Sequence, residues 1–218
     1  FLVMIGITIA IVLNLFYDYE GQRQDLIRYM RETENQLQIL LCELAAYLHN
    51  KDMEINVWDR IIAFEGRMHE FIKAAYDYQD NTFHSHPGYY IDYFEMRLAQ
   101  LQVLHNLHYE IKKIRKMPKQ ALVIADYIMY MADYVVEMNI PDQQIEKLEE
   151  ISEQMKQEEL PKTREEFEGR ALLYHILMDL EEFLVYKKRF VSGLDEKKLR
   201  IYWKQEMEQK DSANELQK

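Results

Sequence analysis

Two arginines in otherwise apolar helical segments are the residues best suited to specific chemistry in this sequence. Arg97 lies in YFEMR and Arg170 in EFEGR, each beside positions of an apolar stripe. Because burying a lone guanidinium is costly, each arginine needs a carboxylate partner. We expect the third and sixth bundle helices to pack together through such pairs. The candidate partners are Glu95, Glu166 and Glu168.

The same two arginines have an alternative interpretation as ligand-binding residues. Tyrosines surround both segments, and a guanidinium can bind a carboxylate through two parallel hydrogen bonds. In this interpretation Arg97 or Arg170 receives an aromatic carboxylate as a regulatory ligand.

A second candidate site is the basic segment KKIRKMPK, at residues 112–119. Its cations are Lys112, Lys113, Arg115, Lys116 and Lys119. Anionic lipid attracts such clusters by about 1 kcal/mol per close cation, which makes this a candidate membrane-surface site. In the alternative, these are solvated cations near a helix C-terminus, where the helix dipole favours positive charge.

The histidines and the cysteine do not form a recognisable catalytic or metal-binding motif. Carboxylate-bridged metal pairs in bundles use Glu-x-x-His motifs, and Glu does not stand three residues before any of the 7 histidines. His105 with His108, or His84 with His86, could still hold one metal ion with help from elsewhere. Cys42 has no evident activating partner. We therefore predict no enzyme activity, no bound metal and no cofactor.

Composition and charge exclude several classes of protein. The formal net charge of -11 argues against a nucleic-acid partner, which requires a dense basic surface. A single cysteine cannot form an intrachain disulfide and fits a reducing compartment. With 6 glycines and 4 prolines in 218 residues, long helices are favoured over a turn-rich sheet. The predicted fold class is all-α.

The N-terminal run from Phe1 to Phe16 differs from the rest of the chain because it contains no charged residue. As a helix it would be about 24 Å long, slightly short of a bilayer crossing. We predict that residues 1–16 are the end of a transmembrane helix, with more membrane protein upstream. The alternatives are a signal peptide, which would need a leading positive charge, and a buried core helix.

Three arginines follow the apolar run and predict its orientation. Arg23, Arg28 and Arg31 lie within the window in which positive charge marks the cytoplasmic side. Acidic residues in the same window count for little in this rule. We therefore predict a protein of the cell membrane whose helical domain is in the cytoplasm.

Apolar residues recur at helical spacing through the rest of the chain. They predict helices at residues 22–49, 53–80, 89–117, 118–138, 142–157 and 163–193. The predicted architecture is an antiparallel bundle of about five or six long helices over residues 17–193. A charged tail at residues 194–218 is predicted to be partly helical or disordered.

Local signals refine two of these helices. Pro118 favours a helix start at that position. Thr163 and Glu166 form a predicted capping box at the start of the last helix. At its other end Lys187, Lys188 and Arg189 complement the helix dipole.

Three blocks of sequence resemble the C-terminal domain of the aromatic acid exporter family of bacteria. They are LPKTREEFEGRALL with LEEFLVYKKRF, YYIDYFEMRLAQLQVL, and the passage from the apolar run into a long amphipathic helix at residues 1–48. The resemblance implies an upstream multi-helix membrane domain that carries the transport path. It also implies a cytoplasmic helical domain, for which we expect a role in assembly or regulation rather than catalysis.

The alternative is a membrane-anchored helical interaction module without transport activity. In either case the expected partners are the lipid bilayer, through the apolar run, and other copies of the chain in a homo-oligomer. For an exporter, the upstream membrane domain of the same protein is a further partner.

Overall fold

The computed structural model describes residues 2–15, 19–50, 57–82, 88–194 and 202–203. Within these ranges it contains seven principal helices and no strand. They are α1 (Leu2–Leu15), α2 (Tyr19–His49), α3 (Val57–Asn81), α4 (Gly88–Lys113), α5 (Ala121–Ala132), α6 (Asp142–Lys156) and α7 (Arg164–Ser192). The predicted all-α helical bundle is confirmed.

Helices α2 and α4 form the centre of the bundle. Helix α2 packs against α3, α4 and α5, while α4 packs against α2, α3 and α7. Helix α6 covers the gap between α5 and α7. The predicted contact between the third and sixth bundle helices is therefore present as the contact between α4 and α7.

The distribution of buried residues along each helix matches its position in the bundle. Helix α3 buries one stripe from Val57 to Tyr78 at alternating four- and three-residue steps, as an outer helix does. Helix α4 instead buries residues on several sides, so it can touch three neighbours at once. Helix α6 buries few side chains and lies on the outside, as its polar sequence predicts.

The connection between α4 and α5 differs from the prediction. Helix α4 ends at Lys113, not near residue 117, and α5 begins at Ala121 and ends at Ala132. Pro118 does not start the helix, although its carbonyl accepts a hydrogen bond from the Ala121 amide at 3.0 Å. The ring of a proline inside a helix clashes with the carbonyl four residues earlier, which here belongs to Ile114, so α4 ends before that residue and a turn forms instead.

This turn packs tightly against α7 at Gly169. A Cβ atom on Gly169 would lie 2.9 Å from Pro118 Cγ and 3.4 Å from the Lys116 carbonyl oxygen. Both neighbours are held by ring or backbone geometry and cannot swing aside. Glycine at this position therefore permits the close approach of the turn to α7.

The start of α7 confirms half of the predicted capping box. Thr163 Oγ1 accepts a hydrogen bond from the Glu166 amide at 3.1 Å. The Glu166 carboxylate accepts from the Lys162 amide at 2.9 Å, one residue before the expected donor. Together these bonds satisfy two amide groups at the helix start and fix where α7 begins.

Helix α1 exposes the apolar side chains of its described part, residues 3–9. Val3, Met4, Ile5, Ile7 and Ile9 retain between 45% and 74% of their accessible surface. In the described ranges, none of the helices combines the length and the apolar character required to span a membrane.

Replacing Gly169 with Ala is expected to lower the free energy of unfolding by about 1 to 3 kcal/mol, because the added methyl group overpacks the contact with Pro118. The matched control is Gly66→Ala in α3, where nothing lies within 4 Å of the new Cβ. That change should raise stability by up to about 1 kcal/mol through helix propensity. Chemical denaturation of both variants measures the difference, and equal stabilisation of both would contradict the packing described here.

Candidate functional site

Four charged side chains lie buried between α2, α4, α7 and the turn after α5. This buried charge network consists of Glu34, Arg97, Glu137 and Lys187, which are exposed by 6%, 1%, 4% and 4% respectively. Charged residues are almost never buried to this degree unless they are paired. The network is therefore the most specific polar feature of the described bundle.

Hydrogen bonds satisfy both carboxylates of the network. The Arg31 guanidinium donates to Glu34 at 2.8 Å and to Glu137 at 3.1 Å. The Tyr93 hydroxyl lies 3.3 Å from Glu34 Oε1 and donates to it, while the Tyr89 hydroxyl donates to Glu137 in a short bond. Burial raises the pKa of Glu137, and the Tyr89 bond and the Arg31 charge oppose this rise.

Arg97 is less completely satisfied than the carboxylates. Its Nη1 donates to Gln100 Oε1 at 2.9 Å, and the Gln100 amide in turn donates to the Phe183 carbonyl at 2.7 Å. Its Nη2 lies 3.7 Å from Glu34 Oε1, an ion-pair distance longer than a hydrogen bond. Within the described residues, Arg97 Nε and Nη2 are buried without a hydrogen-bond partner.

Lys187 enters the network from α7. Its ammonium group donates to the backbone carbonyl of Glu137 in a short bond. Burial, followed by the nearby Arg97 charge, lowers the pKa of Lys187 well below its usual value. The sequence interpretation grouped Lys187 with Lys188 and Arg189 as cations that complement the helix dipole, but the structure buries Lys187 in the network. Lys188 is exposed and pairs with Asp142 at 2.8 Å.

The sequence contains a signal for these buried charges. Lys187 follows Leu180 and Leu184 at the steps of four and three that define the inner stripe of α7. Glu34 stands between Met30 and Leu37 at the same steps on α2. A charged residue at a stripe position indicates a buried charge, and the pattern would have identified both residues.

Two aromatic residues from the predicted tail complete the network. The Tyr202 ring stacks on the Tyr89 ring with centroids 3.9 Å apart. Trp203 is 8% exposed, and its indole nitrogen donates to the Tyr89 hydroxyl at 3.3 Å. The remainder of the predicted tail, beyond Leu194, lies outside the described residues.

The predicted partner of Arg97 is wrong, because Glu34 of α2 fills that role. Glu95 lies on the exposed side of α4 and accepts a hydrogen bond from Tyr76 at 3.1 Å. Two residues along a helix correspond to a rotation of about 200°, so Glu95 and Arg97 face opposite directions. Glu168 pairs with Arg164 at 2.8 Å instead.

The predicted pairing of Arg170 with Glu166 is confirmed, with a distance of 2.6 Å between Nη2 and Oε1. Arg170 Nη1 also donates to the Glu159 carbonyl at 2.6 Å. A cleft of about 240 Å³ opens beside this group, and Phe167 and Tyr174 are among its lining residues. The cavity beside Arg97 measures only about 10 Å³, and neither Phe167 nor Tyr174 is among its lining residues.

The basic cluster at residues 112–119 lies at the far end of the bundle. Helices α2 and α4 run in the same direction, because Glu34 in the middle of α2 contacts Tyr93 near the start of α4, while Tyr47 contacts His108 near the ends of both helices. The cluster follows the end of α4, so it lies opposite the start of α2. The 31-residue α2 separates the two ends by about 45 Å.

Salt bridges engage two cations of this cluster. Lys113 pairs with Glu110 at 2.8 Å, and Lys119 lies 3.8 Å from Glu158. The other three cations, Lys112, Arg115 and Lys116, are exposed. A bilayer that holds α1 would lie about 45 Å away, so binding of lipid by this cluster stays a prediction without geometric support.

Of the two histidine pairs considered as metal ligands, the structure describes His105 with His108. The His105 ring meets Trp58 edge to face at 4.5 Å, and His108 is buried at 3% exposure. Among the residues that the structure describes, no group of three or more potential metal ligands occurs. The other candidate pair, His84 and His86, lies outside the described residues.

Replacing Glu34 with Gln should lower the free energy of unfolding by about 3 kcal/mol, because Arg97 then stays buried without a countercharge. The matched control is Glu32→Gln on the same helix. Glu32 pairs with Arg67 at 2.7 Å on the surface, and the change should cost less than about 1 kcal/mol. Urea titration of both variants gives the comparison, and a cost for Glu34→Gln as small as that of the control would refute the pairing.

Comparisons with known proteins are consistent with this fold. The chain is 26% identical over 191 residues to the uncharacterized protein YqjA of Bacillus subtilis (strain 168). The alignment covers 87% of the chain and 58% of that relative, so the chain spans little more than half of the relative's length. The crystal structure of a putative membrane protein from Clostridium difficile 630 has the same fold, with a TM-score of 0.70 and 23% identity. This match covers 78% of the chain and 98% of that structure.

A family model described as the putative aromatic acid exporter C-terminal domain matches residues 23–188. This range contains α3 to α6 entirely and most of α2 and α7, including every member of the buried charge network. Since the match extends over most of the sequence, the chain belongs to the family of putative aromatic acid exporter C-terminal domains.

Proposed function

We propose that this chain is the cytoplasmic C-terminal domain of a bacterial membrane exporter, and that it acts in assembly or regulation of the membrane part rather than in catalysis. The family match over residues 23–188 is the observation that carries the proposal. The longer relative YqjA supports it, because part of that protein lies outside the region that aligns with this chain.

We further propose that residues 1–16 are the end of a transmembrane helix that tethers the bundle. The large apolar side chains at residues 3–9 of α1 are exposed, from Ile5 at 45% to Val3 at 74%. Leaving such surface in water costs about 25 cal/mol per Å², whereas lipid would cover it without this cost. Lipid is therefore the environment that the composition of α1 fits best.

The position of α1 would place one end of the bundle next to the bilayer. Helix α2 begins four residues after α1 ends at Leu15, so the two ends are separated by at most about 15 Å. The start of α2 would then face the membrane. Arg28 near this end is exposed, and positive charge close to a membrane helix supports the cytoplasmic side.

When the 218 residues are expressed without any upstream membrane domain, replacing Ile5 and Ile9 with Asp should release the chain from bacterial membranes, because a charged residue in the hydrocarbon region costs about 3 kcal/mol. The control pair is Leu122→Asp with Val123→Asp, which adds the same charges at similarly exposed positions of α5. The fraction that sediments with membranes after an alkaline wash measures the effect. Retention of both double variants, or release of both, would contradict tethering by α1.

Cysteine labelling in the same cells tests on which side of the membrane the helical bundle lies. A cysteine placed at the exposed Gln102, in a Cys42→Ser background, should react with a membrane-impermeant maleimide only after lysis. Labelling of intact cells would contradict the cytoplasmic location. If the full reading frame encoded a single upstream apolar span, the alternative of an anchored interaction module would replace the exporter.

Arg170 carries a second candidate function, the binding of an aromatic carboxylate as a regulatory ligand. The adjoining cleft of about 240 Å³ is lined by Phe167 and Tyr174, whose rings could pack against an aromatic acid. Arg170 Nε has no hydrogen-bond partner among the described residues. The cavity beside Arg97 has room for about one water molecule, so Arg170 is the better of the two predicted ligand sites.

Benzoate is the probe for this site. It should raise the melting temperature of the wild-type chain and of an Arg164→Gln control, since Arg164 is exposed and pairs with Glu168 outside the cleft. The Arg170→Gln variant should lose the shift, because a ligand stabilises only a protein that binds it. Absence of any benzoate-dependent shift in the wild type would eliminate the ligand function while leaving the tethering proposal intact.

A further inference from the structure

Helix α3 carries a second line of residues beside its buried stripe. The members recur at alternating steps of four and three residues and are Trp58, Ile62, Glu65, His69, Ile72 and Tyr76. This spacing returns to one side of a helix, as in the a and d positions of a coiled coil. The six side chains therefore form a single line about 27 Å long. We call this line the outer stripe.

The outer stripe has the spacing of a helix-pairing surface, yet it lies on the outside of the bundle. Trp58, Ile62 and Tyr76 retain 38%, 44% and 44% of their accessible surface, and Ile72 is half-buried. Helix α3 packs on α2 and α4 through its other stripe, from Val57 to Tyr78. Helix α4 touches the edge of the outer stripe without covering it. Apolar residues that are exposed at this regular spacing indicate a contact with another helix.

The outer stripe reads nearly the same from either end. Counted from position 67, an aromatic residue stands nine residues away on each side, and an isoleucine stands five residues away on each side. Two α3 helices that pack antiparallel about a two-fold axis at this position would match each residue with its counterpart. Trp58 then faces the partner's Tyr76, and Ile62 faces the partner's Ile72. Each of these contacts occurs twice in the pair.

Charge at the centre of the outer stripe selects the antiparallel direction. Glu65 and His69 lie two residues on either side of position 67. In the antiparallel pair each Glu65 faces the partner's His69, whose imidazole can donate a hydrogen bond to the carboxylate. In a parallel pair each Glu65 would face the partner's Glu65, and the like charges would repel. Among the described residues neither side chain takes part in a hydrogen bond or an ion pair, so both are available to a partner.

We propose that the outer stripe is the interface of a homodimer, in which a second copy of this chain packs its own α3 antiparallel against it. A second copy is the partner that matches every layer of the stripe, because the same sequence supplies both members of each pair. Two helices in contact over about 27 Å bury an area near the lower limit of specific interfaces, about 1,200 Å² in total. The dimer should therefore dissociate on dilution.

The dimer has a defined arrangement relative to α1. Helix α3 runs antiparallel to α2, because Arg60 pairs with Glu43 and Arg67 pairs with Glu32. The two α1 helices therefore lie at opposite ends of the dimer, and one bilayer can hold both only if α3 runs along its surface. The paired surface contains no residue of α1. The inference is thus independent of the proposed tether and is tested separately from it.

The mass of the full chain in detergent, measured by light scattering over a dilution series, tests the interface. At about 100 μM, well above the micromolar range of weak complexes, the wild type should be a dimer. Ile62→Asp should weaken dimerisation by about tenfold or more, because it buries a carboxylate against the partner's Ile72. The control Met178→Asp adds the same charge at an exposed position of α7 and should keep the dimer. A monomeric wild type, which would leave the stripe to a different partner, or a dimer that survives Ile62→Asp would overturn the proposal.

Disulfide crosslinking tests the direction of the helices and does not depend on a loss of binding. In a Cys42→Ser background, chains that carry Ile62→Cys should crosslink to chains that carry Ile72→Cys, because the two positions face each other. Either variant alone should not crosslink, since its two cysteines would be about 15 Å apart along the helices, beyond the reach of a disulfide. Crosslinking of one variant with itself, as in parallel packing, or a mixture without crosslinks would contradict the antiparallel pair.

Discussion

The burial of Arg97 constrains the rest of this bundle. A guanidinium that is 1% exposed cannot stay without a countercharge, because an uncompensated charge in the interior costs several kcal/mol. Glu34 of α2 lies 3.7 Å away and supplies that charge. This pair therefore favours one register between α2 and α4, since shifting either helix by one turn would separate the charges by about 5 Å.

The same constraint extends to the outer elements. Arg31 connects Glu34 to Glu137, which fixes the turn after α5, and Lys187 of α7 binds the carbonyl of Glu137. Trp203 reaches the network through Tyr89. By contrast, surface pairs such as that between Arg67 and Glu32 contribute little to stability. The network therefore sets the mutual positions of four elements, while apolar packing supplies most of the stability.

Sequence periodicity predicted the helices and their order, because apolar spacing determines which faces are buried. The contact between α4 and α7 was predicted from the need of Arg97 and Arg170 for carboxylate partners, and it is present although those pairs do not join the two helices. The partner of Arg97 could not be predicted in the same way. Glu34 belongs to another helix, and the distance between them exists only after the bundle forms. The burial of Lys187 could have been predicted, because this residue continues the apolar stripe of α7. Its position near the helix C-terminus, where positive charge is favoured, suggested a different role. The turn at Pro118 illustrates how one residue overrides a helical pattern.

If α1 tethers the bundle, Glu34 lies about 20 Å along α2 from the proposed membrane end, so a shift of α2 would reach the network directly. The pairing of Glu34 with Arg97 is thus central to both stability and the proposed regulation. A double-mutant cycle with Glu34→Gln and Arg97→Gln measures it most directly. We expect a coupling free energy of about 2 kcal/mol. Additive effects of the two substitutions would contradict the account.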